Sequence, residues 1–244
     1  MSASPISDQV TKLCLRLFPN GGTYLEAGAH DGIFFSNTTE LEESGLWQGI
    51  LVEPSPVAFD SLIKNRPNNH LLNCALVDSE SKPTISGTFL SGSPVATVVP
   101  DLFYVDLPAA GTLLSVLRAI LYKCFRFQFS PKLIEVPART LESILETLHI
   151  SNLDVLILDV EGYELEALTG LGDMRPSLLI VETRTHQALA MSKLLSGWGY
   201  VLCYCLSNFH FPERTNALEQ FQDLVWIRND HIDSFLANTL NQLG

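Results

Sequence analysis

Basic residues are scarce in this chain of 244 residues: Lys and Arg total 15 against 27 Asp and Glu, a formal net charge of −12. A surface that coats nucleic-acid phosphates draws on neutralising Lys and Arg, so a nucleic-acid partner is not expected. Cysteine is sparse as well. Cys14, Cys74, Cys124, Cys203 and Cys205 are odd in number, scattered and without a C-x-x-C pair. That argues against a disulfide framework or a zinc site and for buried thiols. No apolar run reaches the roughly 20 residues needed to span a bilayer. The opening Met-Ser-Ala-Ser-Pro-Ile-Ser-Asp has no basic stretch ahead of an apolar core. The simplest expectation is a soluble, cytoplasmic protein. What the chain does have is apolar residues, 46% of the total, enough to bury a large core as a single α/β domain.

Apolar runs alternate with helical patterns, which predicts a parallel sheet covered on both faces. A leading helix is expected over 8–18. Strands are expected at about 23–27, 49–53, 70–77, 154–159 and 178–182, with two more near 200–206 and 223–228. Asn37 and Glu40 have capping-box spacing for the helix after the first strand, and Gly45 suits its end. Ser55-Pro56 opens the next helix with Pro at a favoured first position. Helices at about 163–171 and 186–197 follow the fourth and fifth strands. Between the third and fourth strands, residues 79–132 read as an insertion or lid. Within it, apolar positions 113, 116, 117, 120, 121 and 124 form one face of a helix at 113–127. Arg118, Lys123, Arg126, Lys132 and Arg139 gather in the same region. Snorkelling over a core, recognition of an anionic substrate and peripheral membrane contact through 113–127 are all compatible with that pattern.

The first strand runs into Glu26-Ala27-Gly28-Ala29-His30-Asp31-Gly32. In a βαβ unit this turn lies at the carboxyl edge of the sheet, where nucleotide-like ligands bind. A dinucleotide site would want G-x-G-x-x-G, but the position two after Gly28 is His30, whose side chain would collide with a pyrophosphate. The spacing Glu-x-Gly-x-x-x-Gly suits a cofactor without phosphates, such as S-adenosylmethionine. Glu53 ends the second strand, where an acid can accept both ribose hydroxyl protons.

Read in order, Glu26-Ala27-Gly28-Ala29-His30-Asp31-Gly32, Ser36-Asn37-Thr38, Trp47-x-Gly49-Ile50-Leu51-Val52-Glu53-Pro54, Asn73-Cys74-Ala75-Leu76, Leu158-Asp159-Val160-Glu161-Gly162-Tyr163-Glu164 and Ile180-Val181-Glu182 resemble a known family. It is the FkbM-type family of S-adenosylmethionine-dependent methyltransferases. The resemblance implies a class I methyltransferase fold, Rossmann-like, with a seven-stranded, mostly parallel sheet, an antiparallel last strand and helices on both faces. It implies S-adenosyl-L-methionine as cofactor. Glu26, Gly28 and Gly32 would shape the pocket for its amino-acid end, with His30 and Asp31 on the same loop. Glu53 and Pro54 would hold the sugar, Cys74 and Ala75 would leave room for the adenine ring, and Ser36 and Asn37 would contact the cofactor besides capping a helix.

In that fold Asp159 and Glu161 end the strand beside the first, and Glu182 ends the next one over. Carboxylates grouped there are costly without a proton or a cation. One resolution is a divalent metal held by Asp159, Glu161 and Glu182, orienting a substrate hydroxyl. Another is a raised pKa that makes one acid a general base. In a third, Glu161 pairs with Arg184 and Asp159 alone faces the cofactor. Glu164 and Glu166 read as a solvated helix face. The expected reaction is O-methylation of a hydroxyl on a small molecule or sugar, with Asp159, Glu182 or His186 taking the proton. Two other classes share the sheet. A binding protein that has lost catalysis is disfavoured by the intact motifs, and a nucleotide-dependent oxidoreductase is disfavoured by His30.

Overall fold

The computed structural model describes residues 6–34, 36–79, 83–89, 96–97, 133–209 and 221–233. The expected helix at 113–127, with Arg118, Lys123, Arg126 and Lys132, lies outside the described residues. Strands are β1 (Gly22–Ala27), β2 (Trp47–Val52), β3 (His70–Leu72), β4 (Ala75–Leu76), β5 (Thr84–Phe89), β6 (Ala96–Thr97), β7 (Leu133–Arg139), β8 (Val155–Leu158), β9 (Leu178–Arg184), β10 (Tyr200–Phe209) and β11 (Phe221–Arg228). Helices are α1 (Ser7–Leu17), α2 (Thr39–Glu43), α3 (Pro56–Asn65), α4 (Leu141–Thr147), α5 (Glu164–Thr169) and α6 (Ala188–Gly197).

The main sheet has seven strands in the order β10-β11-β9-β8-β1-β2-β3. The pairs β1–β2, β1–β8, β2–β3 and β8–β9 are parallel, while β11 is antiparallel to both β9 and β10. The expected sheet with an antiparallel last strand is therefore present. Its central strands are apolar at successive positions because both faces are covered. The period-two alternation of a strand sorts these residues between two cores. On one face Leu25, Ala27, Leu156, Leu158, Leu179 and Val181 pack with Ile144 of α4, Leu168 of α5 and Met191 of α6. On the other, Tyr24, Leu51, Val155, Ile157 and Ile180 pack with Val10 and Leu13 of α1, Leu41 of α2 and Leu62 of α3. Ser55 caps α3 by accepting from the Ala58 amide, with Pro56 at the first helical position, as its sequence predicts.

Chain order reverses at β1. It leads through α2 to β2 on one side, while β8 returns to its other side, and this is where α/β sheets open a crevice at their carboxyl edge.

The strand expected over 70–77 is broken in two. Its ladder with β2 stops at Leu72, whose carbonyl accepts from the Glu53 amide. Asn73 then turns its side chain back, Nδ2 donating to the carbonyls of Glu53 (2.8 Å) and Pro54 (3.1 Å). The chain leaves the main sheet there, and β4 pairs with β7 in a second sheet ordered β4-β7-β5-β6. That sheet was not legible in the sequence. No helix among the described residues is long and apolar enough to cross a membrane.

Candidate functional site

The turn after β1 is built from left-handed backbone: Gly28 at φ +87°, His30 at +49° and Gly32 at +80°. The amides of Gly28 and Ala29 both donate to the Val52 carbonyl, at 3.0 and 3.1 Å, and the Asp159 amide donates to the Ala27 carbonyl. The turn is thus pinned to β2 on one side and β8 on the other. A Cβ at position 28 would lie 1.9 Å from the Asp159 carbonyl oxygen, so this close approach admits only glycine. The Asp31 carboxylate is used within the loop, accepting from the amides of Ile33 and Phe34. His30 Nδ1 lies 3.7 Å from Asp31 Oδ1, beyond hydrogen-bond reach, and is buried without another partner.

Glu53 sits at the end of β2 with 3% of its surface exposed. One carboxylate oxygen accepts from the His30 amide (2.9 Å) and the other from the Ser55 amide (2.7 Å). Each oxygen keeps a second acceptor site. Burial raises its pKa to about 7 in spite of those two donors. Pro54 is half-buried, held by Asn73. Cys74 and Ala75 are buried, Ala75 packing with Val136 and partly exposed Tyr163.

Glu26, Ser36 and Asn37 lie behind the loop. Strand alternation turns Glu26 to the face of Tyr24, and it is 1% exposed. Its carboxylate accepts from Ser36 Oγ (3.1 Å), the Asn37 amide (2.7 Å) and Thr38 Oγ1. Burial raises its pKa nonetheless. The expected capping box does not form. Thr38 occupies the N-cap of α2 without a side-chain cap, its hydroxyl donating to Glu26, and the Asn37 amide that the box would use is also taken by Glu26. The Asn37 side-chain oxygen is buried without a partner. Gly45 does close the helix, in the left-handed region at φ +69°.

Acidic side chains gather across the carboxyl ends of β8 and β9. Asp159 has its pKa well above the usual carboxylate range, first through burial, then through the charges of Glu182, Glu161, Asp223 and Glu164. Burial, followed by Glu161, Glu164 and Asp223, raises Glu182 to about 8, while Arg184 opposes the shift. Glu182 Oε2 is buried and accepts no hydrogen bond. Glu161 is bound by Arg184 Nη2 at 3.1 Å, the pairing named in the third of the arrangements read from the sequence. Glu164 is not solvated as expected. It is fully buried, with Oε1 accepting from the amides of Val160 (3.2 Å) and Gly162 (2.9 Å), because the loop after β8 folds over the first turn of α5. His186 is exposed on the segment between β9 and α6. Among the described residues no three His, Cys, Asp or Glu side chains are arranged to hold an ion. With Glu161 turned to Arg184, the trio Asp159, Glu161 and Glu182 does not fit a metal.

Four residues that matter here carried no readable signal. Asp223 reaches the acidic group only because β11 runs antiparallel beside β9, in register opposite Glu182. Tyr24, Asn65 and Arg66 join the loop through contacts 34 and 42 positions apart in sequence.

A profile of the methyltransferase FkbM domain matches residues 26–202. Three solved structures are similar. A TehB-like SAM-dependent methyltransferase from Corynebacterium glutamicum ATCC 13032 Kitasato is 10% identical with a TM-score of 0.41, the match covering 90% of this chain and 86% of that one. Methyltransferase FkbM from Methylobacillus flagellatus KT is 14% identical with a TM-score of 0.46, covering 85% of this chain and 44% of that one. Precorrin-6y C5,15-methyltransferase from Geobacter metallireducens GS-15 is 10% identical with a TM-score of 0.42, covering 91% and 88%. No curated protein matches the chain significantly. The family match, rather than these distant likenesses, establishes the relationship.

Proposed function

Because the chain belongs to the FkbM family of S-adenosylmethionine-dependent methyltransferases, we propose that it transfers a methyl group to a hydroxyl of a small molecule or sugar. The observation that carries this reading is the convergence of the Gly28 turn, Glu53 and the Asp159–Glu182 pair on the carboxyl edge of β1, β2, β8 and β9. The cradle fits the cofactor. Glu53 offers two acceptor sites for a ribose diol, and His30 stands where a pyrophosphate would need a glycine. Gly28, His30, Asp31 and Gly32 form the loop against the amino-acid end, and Pro54, Cys74 and Ala75 border the adenine side. Glu26, Ser36 and Asn37 hold that loop from behind.

When bound, S-adenosylmethionine supplies a methyl already activated on a sulfonium. The chain's own task is then alignment of the acceptor hydroxyl with that methyl, together with removal of the hydroxyl proton. Asp159 and Glu182 perform the second part as a coupled pair. Burial and neighbouring charge raise both, Glu182 to about 8, which favours uptake of a proton by the pair. The net negative charge disfavours a nucleic-acid acceptor.

Two measurements test the reading. Mass spectrometry of purified protein should find S-adenosylmethionine or its demethylated product, and labelled methyl should pass to a hydroxylated acceptor. A protein that neither retains nor takes up either ligand would sink it. Glu53→Gln should weaken binding of S-adenosylhomocysteine by roughly 10–100-fold, since the amide keeps one acceptor and sets an N–H against a backbone donor. In the wild type, affinity should rise as pH is raised through about 7, where Glu53 loses its proton and becomes the better acceptor. The variant should show a flat profile. The ligand-free fold should do the opposite. The folded pKa lies above the ordinary 4.5, so stability is full below that value and declines as pH rises through about 7.

A further inference from the structure

We propose that Arg66 is the positioning residue that presents the loop after β1 to the cofactor; this rests on the function proposed above. Arg66 follows the last residue of α3 and is 3% exposed. Its Nη1 donates to the Gly32 carbonyl (3.0 Å) and Ser36 Oγ (3.1 Å). Its Nη2 donates to Tyr24 Oη (2.8 Å), and to Thr38 Oγ1 and the Thr38 carbonyl at 3.3 and 3.4 Å. Its Nε donates to Glu42 of α2. One planar cation thus ties β1, the loop and α2 together, a pattern that the fork of a guanidinium satisfies and an ammonium does not. Asn65 adds a bond from Nδ2 to the Asp31 carbonyl, at 2.8 Å.

The stem of Arg66 also explains the second glycine of the motif. A Cβ at position 32 would lie 2.5 Å from Arg66 Cγ and 2.6 Å from Leu62 Cδ1. Helix α3 therefore begins just after Glu53, at the sugar, and ends at the clamp on the loop that faces the other end of the cofactor. It spaces the two halves of the pocket. The clamp itself touches neither ligand nor reacting atoms.

The test compares wild type with Arg66→Lys, which keeps the charge beside Glu26 and Glu42 but loses the fork. Ligand-free amide exchange at 32–34 and 36–38 should quicken about tenfold or more while exchange in β8 and β9 is unchanged. Affinity for S-adenosylhomocysteine, read by calorimetry, should fall about 10–100-fold, with KM for the cofactor rising and kcat at saturation nearly unchanged. Gly32→Ala should have the same effect, and the double variant should cost less than the sum. If Arg66→Lys does not fold, Ser36→Ala removes a loop-side acceptor and leaves the arginine in place, with a smaller change in the same direction. Unchanged exchange at the loop overturns the clamp. Faster exchange with unaltered affinity makes it purely structural and overturns the positioning role. If wild-type protein itself fails to bind, the functional reading falls with the cofactor half of this proposal, while exchange still judges the clamp.

Discussion

Gly28→Val is expected to abolish cofactor binding without unfolding the protein. Position 28 sits at φ +87°, where a β-branched residue is strained whatever the space around it. Its Cβ would also lie 1.9 Å from the Asp159 carbonyl oxygen, a backbone atom that cannot swing aside. The turn has little freedom to retreat, because the Gly28 and Ala29 amides are both held by Val52. Relief therefore requires the loop to lift from β8, breaking those bonds and displacing the His30 amide from Glu53. The cost is about 2–4 kcal/mol, an upper-middle value for backbone strain with steric overlap. For a chain of this size that lowers the thermal midpoint by about 5–15 °C. Affinity for S-adenosylhomocysteine should fall about 100-fold or more, since both ends of the pocket move. Gly45→Ala is the control: φ is +69° there, but nothing lies within 4 Å of the added carbon. It should lose a little stability and no affinity. Normal binding by Gly28→Val in calorimetry would count against the assignment of this turn.

The second large effect is kinetic. Asp159→Asn and Glu182→Gln should each lower kcat by about 10²–10⁴-fold, the usual contribution of a positioned general base, with much smaller changes in cofactor affinity. The pH dependence gives the sign. A carboxylate accepts the acceptor's proton only when ionised, so wild-type kcat should climb as pH rises through about 8, the value to which Glu182 is pushed. Glu182→Gln should lose that limb. It should also let Asp159 ionise at lower pH, because Glu182 is the largest charge acting on it. His186→Ala, at an exposed position, should leave kcat close to wild type. A collapse of kcat in His186→Ala, with both carboxylate variants active, assigns the proton to the imidazole instead.

The central strands were legible because a strand buried on both faces must be apolar at nearly every position, as in Val155–Leu158 and Leu178–Val181. The Gly28 turn was legible because a left-handed residue against backbone leaves a one-letter signature. Polar side chains misled where they had several chemically equivalent uses. Asn37 and Glu40 are spaced for a capping box, yet the Asn37 amide goes to Glu26, ten residues upstream of Ser36 in the chain and adjacent in space. Glu164 reads as solvent-facing by helical position and is in fact fully buried.

The amino-acid order alone determined the family and the seven-stranded sheet with its reversed final strand. The buried strands and the turns follow from local rules, apolar periodicity and turn residues, while the family and the reversed strand follow from the resemblance of the ordered motifs. Tertiary structure alone decided that Arg66 clamps the loop, that Asp223 joins the acidic group, that Glu161 turns to Arg184, and that the third strand breaks after Leu72 to start a second sheet. Each of those depends on which distant segment supplies the partner for a buried polar group. A charge or backbone amide taken out of water must find such a partner, and the sequence marks the need while leaving the choice of partner open, as it did between three arrangements for Glu161.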